Sequence, residues 1–330
     1  MSRNIRARLV PQQQRRTLEQ LTDDLVLRQG DRRSKTTAFW TMLVLSSVIA
    51  TAGVLTDSTA TVIGAMIIAP LSTPIMGLAL AAVKGQRNGS LFYVSVGVVL
   101  VVAVGVLFSL VPNTEPLADN GQITSRVSPN LMDLVAAVAT GLAGAVALAR
   151  RDVAAVLPGV AIAISLVPPL AVVGVCLGDG EVEWALGALL LFVSNFVALV
   201  LAGVFVFTVL GYEKEPAGAA HSLRRQYLKL GALLVLVLVP LGLNTLGVWL
   251  VASWTSTVDA EATRWLASEP KARVTGVDHD GITFVIHVES PDELPSSDTL
   301  LERLNGRVPS GLKVEVDLVH GETIDVGTVS

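Results

Sequence analysis

The chain has 330 residues, 52% of them hydrophobic and only 16% charged, with a formal net charge of −4 and a mean hydropathy of +0.61. Soluble domains carry about 25% charged residues, so the composition excludes an ordinary soluble domain, and the slight acidity argues against nucleic-acid binding. The single cysteine, Cys176, excludes an intrachain disulfide, and zinc-ligand spacings, Gly-rich phosphate loops and a serine-nucleophile elbow do not occur, so no metal, cofactor or enzymatic activity is expected.

Residues 1–36 are polar and arginine-rich. Leu18, Leu21, Leu25 and Val26 fall at helical spacing there, which predicts a short amphipathic helix. Seven apolar segments then follow, near 37–55, 60–83, 90–111, 131–149, 153–177, 184–210 and 228–251. Each has roughly the twenty residues needed to cross a bilayer. Loop charge orients them. Arginines crowd the N-terminus, and alternate loops carry Lys84 and Arg87, then Arg150 and Arg151, then Lys214, Arg224 and Arg225. The intervening loops hold Arg126 as their only basic residue. The pattern predicts a multi-pass plasma-membrane protein, N-terminus cytoplasmic and C-terminus outside.

The composition changes near Trp254. "RVTGVDHDGITFVIHVES" reads as two strands around an Asp280-Gly281 turn. A helix with Ser296 or Ser297 near its N-cap follows, then a third strand, "LKVEVDLVH". With a helix near 256–268, this makes a small α+β domain carrying fourteen acidic and six basic residues. The expected organisation is a basic segment at 1–36, a transmembrane domain at 37–251 and an extracytoplasmic α+β domain at 252–330.

"GAMIIAPLSTPIMGLAL", Gly64 to Leu80, is as apolar as a membrane span yet holds Pro70 and Pro74. Proline in a helix interior costs about 3 kcal/mol or more, and hydrocarbon offers no water to a freed carbonyl. The stretch has a partner in "GVAIAISLVPPLAVVGV", Gly159 to Val175. At a constant offset of 95 residues Gly64 meets Gly159, Leu71 meets Leu166, Pro74 meets Pro169 and Asp57 meets Asp152, while Pro70 meets Ser165 with Pro168 nearby. An odd number of spans separates the copies. The expected architecture is therefore an inverted repeat, 37–111 against 131–210, with a proline-broken second helix in each half and an extra span at 228–251.

"SxxxxxGAMxIAPLxxPIxGLAL", from Ser58, together with "LPGVAIAISLVPPLAVVG", resembles the bacterial and archaeal hydrophobic membrane proteins grouped as domain of unknown function 389. The resemblance runs over about 35–210. It implies a membrane protein, and a transporter as an expectation, without supplying a substrate.

Transporters of inverted-repeat type bind substrate between such broken helices. That reasoning makes Pro70, Ser72, Thr73, Pro74, Ser165, Pro168 and Pro169 the candidate substrate-binding residues. Asp57 and Asp152 sit where the interrupted helices begin, as N-caps or as acidic groups at a pathway mouth. Asn195 and Asn244 are amides in apolar spans, read as helix glue or ligand contacts. The deep parts of the spans contain no ionisable residue, which disfavours a charge-relay pump. The leading expectation is a transporter or channel for a small polar solute or ion. The alternative is a non-transporting scaffold or sensor whose outer domain binds a ligand or partner. Expected partners are membrane lipid, the solute or ion and, as an open alternative, further copies of the chain in a homo-oligomer.

Overall fold

The computed structural model describes residues 10–86, 88–111, 116–153, 166–212, 220–269, 271–280, 283–291, 294–309 and 311–319. They fall into two compact units, Met1–Thr245 and Leu246–Ser330.

The first unit is all-helical. Helix α1 (Leu18–Leu25) opens on a capping box: Thr17 Oγ1 accepts the Gln20 N–H at 3.2 Å and Gln20 Oε1 accepts the Thr17 N–H at 3.1 Å. Its Leu21 and Leu25 are buried, as their spacing predicts. There follow α2 (Arg32–Leu55), α3 (Thr59–Ile68), α4 (Ser72–Lys84), α5 (Ser90–Ser109), α6 (Gly121–Val127), α7 (Leu131–Ala149), α8 (Val167–Gly178), α9 (Val182–Val209) and α10 (Ala220–Trp265). Among the described residues α2, α5, α7 and α9 are each long and apolar enough to cross a membrane. The pair α3 and α4 meets the same test as one span bent by 49°. Of the segment expected at 153–177, α8 is described; residues 154–165, and Ser165 among them, lie outside the described residues.

Helix α10 corrects one expectation. A span at 228–251 and a separate helix at 256–268 are instead one helix of 46 residues. The intervening "VASWTS" has no glycine or proline, and its hydroxyls return to the helix: Ser253 Oγ donates to Leu250 O at 2.7 Å and Thr255 Oγ1 to Val251 O at 3.0 Å. The composition shifts from apolar to polar with nothing to end the ladder.

The core is built by crossings of small residues. Helix α5 lies along α8, and α9 lies along both α7 and α4. A Cβ on Gly105 of α5 would fall 2.8 Å from both Ala171 O and Gly174 Cα of α8, so only glycine permits this approach. A Cβ on Gly203 of α9 would fall 2.7 Å from Ala79 Cβ and 3.0 Å from Met76 Sδ of α4.

The segment from Val10 to Asp31 is strapped across one end of the helices. Arg16 N–H donates to Ala149 O at 3.0 Å, Arg151 N–H donates to Gln14 O at 2.8 Å, and Tyr212 OH donates to Arg16 O at 2.8 Å. Arg16 pairs with Asp24, and Lys35 Nζ reaches Asp23 Oδ1 at 2.7 Å.

The second unit holds the end of α10, strands β1 (Arg273–Asp280), β2 (Thr283–Glu289) and β3 (Lys313–Val319), and helix α11 (Ser297–Leu304). The sheet order is β1-β2-β3, antiparallel then parallel, with α11 forming the crossover between β2 and β3. Phe284, Ile286 and Val288 alternate into a core with Val258, Ala262, Trp265, Leu300 and Leu304. The mixed α+β character and the strand placement follow the sequence pattern. Glu261, buried beneath this layer, accepts from Arg264 at 2.5 Å and from Arg307.

Candidate functional site

The break in the second span is the feature most directly written in the sequence. Helix α3 ends at Ile68, Ala69 turns extended (φ −64°, ψ 123°), and α4 begins at Ser72. Pro70 has no N–H, so the carbonyl of Met66 loses its i+4 donor. Ala69 N–H still closes on Ala65 O at 3.1 Å, and the next bond is Thr73 N–H to Pro70 O at 3.2 Å. Among the described residues no backbone hydrogen bond crosses from the Met66, Ile67 and Ile68 carbonyls to α4. One turn earlier, nothing among the described residues lies within 4 Å of where a Cβ on Gly64 would be.

The four prolines are not equivalent. Pro70 lies in the break, whereas Pro74 is the third residue of α4 and Pro168 and Pro169 are the second and third of α8. Amides in a first helical turn have no intrahelical acceptor in any case. Pro70 removes the bond to Met66 O inside the break, and in a continuous helix Pro74 would likewise have bonded to Pro70 O; residues 164 and 165, four before Pro168 and Pro169, lie outside the described residues. By depriving both first turns of N–H donors, Pro74, Pro168 and Pro169 make these N-termini poor anion sites. The break is instead rich in acceptors: three carbonyls, and the hydroxyls of Ser72 and Thr73, which are half-buried and have no hydrogen-bond partner among the described residues. Such a set suits a cation or a hydrogen-bond-donating solute.

Helices α4 and α8 start at Ser72 and Val167, the same offset of 95 seen in sequence, each preceded by a leucine with no side-chain cap. Leu71 and Ile75 of one, and Leu166, Val167 and Leu170 of the other, belong to one continuous buried cluster. Asn195 of α9 is also buried. Asn244 lies in α10, with its side chain outside the described residues.

Asp57 does not cap α3, the helix it precedes, and the residues after Val153 that Asp152 would cap lie outside the described residues. Ser58 caps α3, its Oγ accepting the Thr61 N–H at 3.3 Å. Asp57 sits at φ +46°, the left-handed position that ends α2, with Asp57 N–H bonded to Val54 O (3.2 Å) and Ser58 N–H to Gly53 O (2.8 Å). Its Oδ1 accepts the Gln122 N–H at 2.9 Å, so it caps α6, a helix 65 residues away. Three residues that the sequence did not single out as site residues join it. Asn120 donates to Val54 O at 2.7 Å, Gln122 Nε2 donates to Thr59 Oγ1 at 2.8 Å, and Arg126 lies within Coulombic reach of Asp57. Burial pushes the Arg126 guanidinium below its ordinary value, and Asp57 partly offsets the shift. The one signal available in sequence was that Arg126 is the lone basic residue of its set of loops. Asp152 is held instead by its neighbour: Arg150 donates to it at 3.0 and 2.6 Å, which keeps its carboxyl below the usual range.

Residues 66–201 match the family model described as a domain of unknown function. Over this stretch the chain is similar to the domain of unknown function 389 family. Matched residues begin inside α3 and end inside α9, so the matched region contains the break, the Gly105 crossing and α6, and stops two residues short of Gly203. An uncharacterized protein of Methanocaldococcus jannaschii is 34% identical over 171 residues, covering 52% of this chain and 53% of the relative. The chain thus spans about half the length of the curated relative it matches. No solved structure matches it. The family, together with the apolar helices, is compatible with a membrane protein.

Proposed function

We propose that the protein is a membrane transporter or channel for a small polar solute or ion, with a seven-span membrane domain built on a 3+3 inverted repeat and the site at its broken second helices. The observation that carries this reading is a reciprocal pair of crossings. Gly105, on the third helix of one half, sits on Ala171 and Gly174; Gly203, on the third helix of the other, sits on Met76 and Ala79. The contacted pairs are related by the same offset, 76 to 171 and 79 to 174, although nothing in the proline pattern requires it. A true repeat gives each half the other's broken helix to pack against, and inverted-repeat carriers work by moving one half against the other.

The acceptor-rich break favours a cation, or a neutral solute that donates hydrogen bonds, over an anion. The site would take the Met66, Ile67 and Ile68 carbonyls with Ser72 and Thr73, and the second half would add Ser165. No enzymatic step is proposed. The orientation follows loop charge, so a reporter fused after Val251 should read as extracytoplasmic and one at Gly85 as cytoplasmic.

Flux of monovalent cations and small polar solutes into proteoliposomes holding the full chain tests the reading. Pro70→Ala returns an amide to the Met66 carbonyl, so flux should fall about tenfold while the Tm holds or rises, because a break worth about 3 kcal/mol is relieved. Absence of flux above protein-free liposomes for every gradient would overturn transport and leave the scaffold or sensor reading.

A further inference from the structure

A cavity of about 470 Å³ lies between α1 and the α4–α5 turn, at the end of the first unit that carries the Lys/Arg-rich loops, with Arg28, Gln29, Lys84 and Gln86 on its walls. That volume falls within the range of small-ligand pockets. A neighbouring hollow of about 550 Å³ shares Thr22, Gln29 and Lys84 with it.

We propose that this cavity binds a phosphate-bearing anion. Among the described residues its walls carry two cations and no acid. Two acids, Glu19 and Asp23, line the neighbouring hollow, and Asp23 is already engaged by Lys35. Arg28 is held in place without being used up. Its guanidinium carbon stands 5.8 Å and 5.9 Å from the ring centroids of Phe92 and Tyr93, and among the described residues it has no hydrogen-bond acceptor. A cation–π contact fixes the plane of the group and leaves its five N–H donors available.

Room for that group is built in. Gly89 adopts φ +78°, and a Cβ there would lie 2.9 Å from Arg28 Nε. Glycine thus serves both the left-handed turn and the seat of the guanidinium. The side-chain amides of Gln29 and Gln86 line the cavity with no partner among the described residues.

The C-terminus of α4 points its carbonyls to this region, which by itself would repel an anion. Two of the last four carbonyls are already closed: Gly85 N–H bonds to Ala81 O and Ala82 O, and Gln86 N–H bonds to Ala81 O. A planar fork beside a point charge and neutral amides suits phosphate oxygens better than a single carboxylate. The group could belong to a lipid headgroup or to a soluble phosphate compound; the recognition chemistry is the same. An occupant would tie α1 to α4, whose opposite end begins at the break.

The test is thermal unfolding of the full chain in two arms. One titrates inorganic phosphate and glycerol phosphate in detergent against chloride at equal ionic strength. The other compares nanodiscs of phosphatidylcholine with nanodiscs containing phosphatidylglycerol. The wild type should be stabilised in at least one arm, the first marking a soluble ligand and the second a headgroup. Lys84→Gln and Arg28→Gln should each weaken the apparent affinity about tenfold, the scale of one lost charge-assisted contact. Arg33→Gln, a basic residue outside the cavity, should not. Arg28→Lys keeps the charge but loses the fork and should fall between. If Arg28→Gln does not fold, Lys84→Gln decides. No stabilisation of the wild type in either arm, or equal stabilisation of wild type, Lys84→Gln and Arg33→Gln, overturns the proposal.

Discussion

The two crossings of small residues share an arrangement and differ in their filling. Where α5 meets α8, Gly105 faces backbone: a Cβ there would collide with a carbonyl oxygen and a Cα, neither of which can rotate away. Where α9 meets α4, Gly203 faces the Ala79 methyl and the Met76 thioether. One contact is backbone on backbone; the other is padded by side chains, one of them flexible. The first crossing should therefore behave as a fixed pivot and the second as a surface that can repack.

The largest effect should come from Gly105→Ala or Gly174→Ala. Either inserts a methyl against main chain and should cost about 3 kcal/mol, the upper end of overpacking penalties, measurable as loss of Tm in detergent. Gly203→Ala should cost less, about 1–2 kcal/mol, because Met76 can move. Adding Ala79→Gly to Gly203→Ala should recover most of that loss, since it makes the padded crossing resemble the tight one. If Gly203→Ala proves the costlier change, the contrast is wrong.

A smaller effect should separate Asp57, after α2, from Asp152, after α7. Asp57→Ala keeps the left-handed backbone, loses the cap on α6 and should cost about 1.5 kcal/mol. Asp57→Gly removes the backbone strain and should recover about half of that loss or more. Asp152→Asn should leave the Tm unmoved, because its pair with Arg150 is exposed. The Asp152 carboxyl lies below the usual value, so what its pairing contributes is present above the ordinary aspartate range and is lost only as the pH falls through that lower value. Acidifying from pH 7 to pH 5 should then leave the bidentate contact intact, read from the carboxylate stretch of labelled aspartate.

Legibility divided along physical lines. Helices α2, α5, α7 and α9 were readable because each is uniformly apolar over a span length, and the hairpin and crossover of the second unit because strand alternation is local. The break was readable at Pro70 because a missing amide is covalent fact. The starts of the flanking helices, Ser72 and Val167, were not readable, because composition does not fix where a helix begins. Asp57, Asn120 and Gln122 could not be joined from sequence, since their bonds span more than sixty residues and involve backbone groups any residue could supply. The docking of Gln14 to Arg16 on Ala149 and Arg151 escaped for the same reason. Arg28 read as one charge among many until its rings and Gly89 were placed around it.

The strap also imposes a schedule on synthesis. Arg16 leaves the ribosome early, but the tyrosine that donates to its carbonyl follows 196 residues later. At about 5–20 residues per second that interval is roughly 10 to 40 s. Helices α2 to α9 can pack during that time, and the contacts of Asp23 with Lys35 and of Arg28 with Phe92 and Tyr93 can form, before the bond from Tyr212 closes on Arg16. The segment around Arg16, made early, is thus fully fastened late, and Tyr212→Phe, which removes that bond, should slow the closing of assembly rather than its beginning.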